Sequence, residues 1–333
     1  MAQINSQTSL TSTAKSSFWQ RMMAIREMGL LLIIILLMIV LSLASPHFLT
    51  ASNITTTLIG LATDGIIAVG MTIALVSGGF DLSVGSVLAL SGVATGALYI
   101  GGMNIWLATI LGLVISVGCG MVNGYFIGKI GINPMITTLS MMNIARGAAY
   151  VLTEGSPLSL AQTPKAFTNL GGGTALGIPV IVLIFIVIAV IGDYMMRHSA
   201  FIRQVFYVGS NSKAASLSGI NVSKVKFLVF IIVAVLSGIA GILTLSRFNV
   251  ATPSAGLGTE MRVMSAAIIG GASLSGGEGT VFGAVLGVIL LALVNDGLVL
   301  LAVSVYWQDL ISGIILLAAV TLDYINHTRR RTA

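Results

Sequence analysis

Charge is what this 333-residue chain has least of. Asp, Glu, Lys and Arg together supply 8% of it, against roughly 25% in a soluble domain. Apolar residues make up 56% and mean hydropathy is +1.04, more apolar surface than one core with so few charges around it could hide. A soluble enzyme and a disordered chain are both excluded. Cysteine is almost absent. Cys119 stands alone, which rules out an internal disulfide and a cysteine-based metal cluster. The three histidines, His47, His198 and His327, lie far apart near the ends of apolar runs and do not suggest a metal centre.

Catalytic patterns are missing too. There is no Gly-x-Ser-x-Gly, no His-Glu-x-x-His and no pair of carboxylates at a useful spacing. Gly124-Tyr125-Phe126-Ile127-Gly128-Lys129 comes nearest to a phosphate-binding loop. It is one residue short, and Ile130 occupies the place of the magnesium-binding Ser or Thr. The chain is not expected to hydrolyse ATP itself.

What is present is a series of apolar runs. A membrane helix needs about 20 mostly apolar residues, and spans are expected at 28–44, 58–77, 82–100, 105–127, 132–152, 179–196, 227–248, 263–275, 280–301 and 305–325. The first is too long for a secretory h-region and is read as a retained helix. The expected fold is an all-α polytopic membrane protein of about ten transmembrane helices with both termini cytoplasmic. Basic residues set that orientation: an even count places twelve of the sixteen inside, including Lys15, Arg21, Arg26, the cluster Arg197 to Lys226, and Arg329–Arg331. The net charge of +6 is thus an orientation signal, not a nucleic-acid footprint. The division is a tail at 1–27 (Ser/Thr/Gln-rich to residue 17), one transmembrane domain at 28–325 with an inside loop at 197–226, and a basic tail at 326–333.

Glycine is abundant, at 39 residues. Gly120, Gly124 and Gly128 share one helix face, as do Gly279, Gly283 and Gly287, a spacing that lets backbones approach closely. Two glycine-rich breaks interrupt apolar runs, Gly78–Ser86 and Gly270–Gly279. Both contain a Ser or Asp able to cap the next helix, and they match at five of their first eight positions. They are either tight turns or segments lining or gating a pathway. Gly78, Gly79, Asp81, Ser83, Ser273 and Ser275 are the candidates there. Ionisable residues inside spans usually mark a partner or a path. Asp64, Arg146, Asp296 and Asp309, with Asn143, Asn295 and Gln308 near them, read either as an ion pair of Arg146 with Asp64 or Asp296, or as a hydrated vestibule for a polar solute. In the inside loop, Ser210 or Asn211 can cap a short helix over Lys213–Leu217 that Gly219 ends. Small residues and a single large apolar one, Leu217, favour docking to a protein over lying on lipid.

One family resemblance runs through residues 30–325. Val69-Gly70-Met71-Thr72 with Ser77-Gly78-Gly79-Phe80-Asp81-Leu82-Ser83-Val84-Gly85-Ser86 closely resembles the permease subunits of bacterial ribose/arabinose/xylose-type ABC sugar importers. Asn133-Pro134-Met135-Ile136-Thr137-Thr138-Leu139 with Arg146-Gly147 agrees, as do Gly209-Ser210-Asn211, Ser218-Gly219-Ile220-Asn221-Val222, Gly258-Thr259-Glu260, Ser273-Leu274-Ser275-Gly276-Gly277 and Asn295-Asp296-Gly297-Leu298. Phe80 replaces a commoner branched aliphatic, and Asp296 a commoner Asn or Ser. The resemblance implies a non-catalytic, multi-pass inner-membrane subunit that forms the pathway for a pentose-like sugar. Its implied partners are a cytoplasmic ATP-binding subunit, a periplasmic sugar-binding protein and a second permease copy, identical or paralogous. ATP and magnesium would be used by the partner, with no cofactor on this chain. Coupling would fall on Gly209, Asn211, Ala214, Ala215, Ser218 and Gly219. Other sugar-like solutes such as autoinducer-2 remain open, as does a proton-coupled secondary transporter using Asp64 or Asp81.

Overall fold

The computed structural model describes residues 26–304 and, beyond them, 307–308, 310–311, 313–315, 317–318 and 320–321. The residues of the two expected tails before Arg26 and after Thr321, and Asp309, lie outside the described residues. Helices α1 (Arg26–Ala44), α2 (Ala51–Val76), α3 (Val84–Ile100), α4 (Ile105–Gly124) and α5 (Pro134–Thr153) come first. A loop follows with strand β1 (Leu158–Ser159), helix α6 (Lys165–Gly172), and strands β2 (Thr174–Ala175) and β3 (Ile178–Pro179). Then come α7 (Val180–His198), α8 (Ala200–Ser210), α9 (Ser212–Leu217), α10 (Val222–Phe248), β4 (Val250–Ala251), α11 (Thr259–Ile269) and α12 (Val281–Leu300). The strands form two antiparallel ribbons, β1 with β4 and β2 with β3.

Polar residues at the expected boundaries start these helices. Asn133 accepts from Met135 N at 2.8 Å ahead of Pro134, whose missing N–H costs nothing in the first turn. Asn211 caps α9, accepting from Ala214 N at 3.0 Å, and Asn221 caps α10. Among the described residues, six helices are long and apolar enough to cross a membrane on their own: Glu27–Ala44, Ala51–Val76, Ile105–Ile130, Val180–His198, Val222–Phe248 and Val281–Leu300. The third combines α4 with a π-helical turn, Tyr125–Ile130, so the near-phosphate-loop sequence is helix. α3, with 17 residues, is apolar but shorter. α5 carries Thr137, Thr138, Ser140, Asn143 and Arg146 along 20 residues. The expected helix at 263–275 stops at Ile269: Gly270 still has right-handed helical dihedrals, but Gly271, at φ 108, turns the chain out of the helix. Its 11 residues rise about 16 Å, too little for a hydrocarbon core of about 30 Å.

α10 is the central strut, packed on α2, α3 and α4. The glycine faces make that approach possible. A Cβ on Gly120 would sit 2.8 Å from the Phe230 carbonyl oxygen, and one on Gly124 2.7 Å from that of Phe227. Gly283 and Gly287 meet Gly270 and Ala266 of the α11 side in the same way. The buried core runs through α2, α10, α11 and α12, and α1 packs on α12 at the margin.

Candidate functional site

The two breaks and the inside loop, far apart in sequence, meet at one point. Gly277 N donates to Val76 O at 2.9 Å, tying the second break to the end of α2. Gly209, at the end of α8, lies against the same place: a Cβ there would overlap the Val76 carbonyl and come within 2.8 Å of Gly277 N. A Cβ on Gly276 would stand 2.8 Å from Gly209 O and from Gly78 Cα. Backbone therefore packs directly on backbone, which only glycine permits. Break two closes on itself as well, with Ser275 N donating to Ser273 Oγ at 3.2 Å and Ser273 N to Glu278 O at 3.0 Å. The residue that caps α12 is Thr280, accepting from Gly283 N at 3.0 Å, not a Ser or Asp of the break.

Asp81 is 1% exposed and fully engaged by polar neighbours. Its Oδ1 accepts from Ser83 N at 2.7 Å and Ser83 Oγ at 2.5 Å, and Oδ2 from Asn123 Nδ2 at 3.3 Å. Asn123 also donates to Ser83 Oγ at 3.1 Å, and Leu82 N donates to Thr138 Oγ1 at 3.1 Å. The first break is thereby pinned to α4 and α5. Ser83 begins α3 without a side-chain cap, so the Asp–Ser pair stabilises the turn instead. Gly79 packs near Pro134 and Phe230.

A separate cavity of about 510 Å³ lies between α2, α11, α12 and the helical residues beyond Trp307. Asp64, Asn295, Asp296 and Gln308, four of the polar residues singled out in the sequence, line it, whereas Arg146 and Asn143 do not. Arg262 supplies its cation: Nε donates to Asp64 Oδ2 at 3.1 Å and Nη2 to Thr259 Oγ1 at 2.8 Å. Asn53 Nδ2 donates to Asp296 Oδ2 at 2.9 Å and to Phe48 O at 3.1 Å. The cavity lining thus holds two carboxylates, one paired with the guanidinium and one with the Asn53 amide, amid hydroxyls from Thr56, Thr57 and Ser265.

The ion pair expected of Arg146 is not made. Its Nη1 donates to the carbonyls of Pro253 at 2.6 Å and Ala255 at 2.7 Å, fastening the loop between β4 and α11 to α5. Those carbonyls engage Nη1 of the guanidinium, while Asp64 is paired with Arg262 and Asp296 accepts from Asn53. Asn143 is exposed on α5, away from the cavity.

On the inside loop, Asn211, Ala214, Ser218 and Gly219 are exposed, whereas Ala215 is 4% exposed and packed into the chain's own core. Ala215 therefore seats α9, and Leu217, 91% exposed, is the projecting apolar side chain. Sequence reasoning passed over Asn53, Asn123 and Arg262 as site residues. Arg262 carried a usable signal, a cation inside an apolar stretch. Asn123 was hidden within the glycine face of α4.

The profile described as "Branched-chain amino acid transport system / permease component" matches residues 53–320. The chain is 38% identical over 298 residues to the ribose import permease protein RbsC of Bacillus subtilis (strain 168), covering 90% of this chain and 92% of that protein. It is 36% identical over 299 residues to the protein of the same name from Escherichia coli (strain K12), covering 89% and 93%. The L-arabinose ABC transporter permease protein AraH of Azospirillum brasilense is 36% identical over 318 residues, covering 96% and 92%. No solved structure gives a significant match. The chain belongs to this family of ABC-importer permeases.

Proposed function

We propose that this chain is the inner-membrane permease subunit of an ATP-driven importer for a pentose such as ribose or arabinose. The observation that carries the solute class is the cavity at Asp64, Arg262, Asn295 and Asp296. It offers hydroxyl, amide and carboxylate groups, donors and acceptors together, to a neutral polyhydroxylated solute. With two carboxylates against one guanidinium, it is poorly suited to phosphorylated sugars. Ribose and arabinose are the sugars named for the relatives.

The chain acts as one transmembrane domain over 28–325, with ten spans and both termini cytoplasmic. α11 and the break after it count as one of the ten, by pairing with α12. The chain binds no cofactor and performs no chemistry; a cytoplasmic partner uses ATP and magnesium. That partner docks on α9 through Leu217, beside Ala214, Ser218 and Gly219, with Ala215 and Asn211 holding α9 in shape. Movement of α9 and α8 passes through Gly209 to Val76 and Gly277, so both breaks respond to the same displacement. A periplasmic sugar-binding protein delivers the solute, and a second permease copy completes the pathway.

The test is uptake of labelled ribose and arabinose into proteoliposomes holding this chain with its ATP-binding subunit and binding protein. Uptake should require internal ATP. Uptake driven by a proton gradient alone, without the ATPase, would replace this reading with a secondary transporter. A reporter fused after Arg331 should be active only in its cytoplasmic form, and a periplasmic signal would overturn the ten-span arrangement.

A further inference from the structure

A second groove, of about 470 Å³, runs between α7 and α12 and shares no residue with the polar cavity. Its volume is in the range of small-molecule sites, and its chemistry changes along its length. Phe185 and Ala189 of α7 with Val285 of α12 make one stretch apolar; Asp193, Tyr194, Arg197 and His198, beside the start of α12 at Val281 and Phe282, form the other end. Phe185 and Asp193 are eight positions apart, about 12 Å along a helix. One leaflet of hydrocarbon is about 15 Å deep, half of a core of about 30 Å. The polar groups fall within the last six residues of α7, the end that the ten-span reading puts at the inner surface, where acyl chain gives way to headgroup.

The polar end is bipolar. Arg197 Nε donates to Asp193 Oδ2 at 2.7 Å and Nη2 to Oδ1 at 3.4 Å, while among the described residues no hydrogen bond engages Nη1. Glu27 lies close enough to act on Arg197 electrostatically and accepts from Thr280 Oγ1 at 3.1 Å. Two carboxylates against one guanidinium attract an ammonium group, while the free face of the guanidinium can still meet a phosphodiester. Among the described residues the carboxylates of Asp193 and Glu27 outnumber the guanidinium of Arg197, and a headgroup with only negative charge would add to that excess.

We propose that this groove is a binding site for phosphatidylethanolamine, one acyl chain lying along Phe185, Ala189 and Val285. The ammonium faces Asp193 and Glu27, and the phosphodiester faces Arg197. The site is independent of the identity of the cargo.

The test uses the full-length protein reconstituted with equal parts phosphatidylethanolamine and phosphatidylglycerol, extracted gently and weighed with its bound lipids by native mass spectrometry. Retained phosphatidylethanolamine should exceed phosphatidylglycerol about fivefold. Asp193→Asn, which keeps the shape of the site, should reduce that preference to near parity. Ala189→Trp should fill the groove and remove the retained lipid altogether. Equal retention of the two lipids by the unaltered protein, or an unchanged preference in Asp193→Asn, would overturn the proposal.

Discussion

Gly277 donates its backbone N–H to the carbonyl of Val76 at 2.9 Å, and Gly209 packs so close to the same carbonyl that a Cβ there would overlap it. The end of α2, the break before α12 and the entrance to α9 thus share one contact made wholly of main chain. Side chains can adjust to a displacement by changing rotamer, but a backbone contact cannot.

Gly209→Val is the sharpest probe of that contact. Its side chain would overlap Val76 and Gly277, and overpacking of this kind costs about 1–3 kcal/mol. Thermal melting of the purified protein should fall by several degrees. Gly172→Ala, with open space around its Cβ, should leave melting unchanged.

Asp81 is expected to act on the fold before it acts on transport. Asp81→Ala removes the acceptor for Ser83 N, Ser83 Oγ and Asn123 Nδ2. Each buried group left unpaired costs about 1–3 kcal/mol. The amount of folded protein in the membrane should fall severalfold, and uptake per folded molecule should change much less. Normal protein levels with uptake abolished would instead make Asp81 a pathway residue.

Leu217 should matter to assembly and not to stability. It is 91% exposed, so nothing within this chain depends on it. Burying a leucine in a partner contributes about 1.5–3 kcal/mol, and Leu217→Ala should weaken co-purification of the ATP-binding subunit at least about tenfold. Melting of the isolated permease should not move. Undiminished assembly in this variant would place the docking contact elsewhere.

The Asp64–Arg262 pair tests the polar cavity. Its side chains are 25% and 37% exposed, so the pair contributes at most about 1 kcal/mol to stability. Arg262→Gln should fold normally yet lower uptake, leaving two carboxylates without a cation. The effect should grow at low ionic strength, where charges are less screened. Uptake equal to that of the unaltered protein would mean the solute travels another way.

Several helix starts were legible because the sequence spells out their caps, such as Asn133-Pro134 before α5 and Asn221 before α10. Asp64, Asn295 and Asp296 could be singled out because polar groups among apolar ones stand out, and they line one cavity. Arg146 was misread because sequence shows a charge but not the nearest acceptor, and the carbonyls of Pro253 and Ala255 bear no mark in the residue types. Ala215 was hidden for a related reason. A six-residue helix of small side chains has no strong apolar face, so which side turns inward is decided by α8 and α10. The meeting of Val76, Gly209 and Gly277 depends on how three distant segments close, and glycine alone tells only that something approaches.

The glycine ladder of α4 has a mechanical consequence. Where helices touch through long side chains, one can slide past the other as rotamers give. Gly120 and Gly124 of α4, with Gly128 in the π-helical turn that continues it, approach the main chain of α10 at three successive points, so a shift of even a fraction of a turn drives backbone into backbone. That pair is a chassis. Whatever piston stroke the molecule makes has to be carried by α2, α11 and α12, the elements whose ends are already broken.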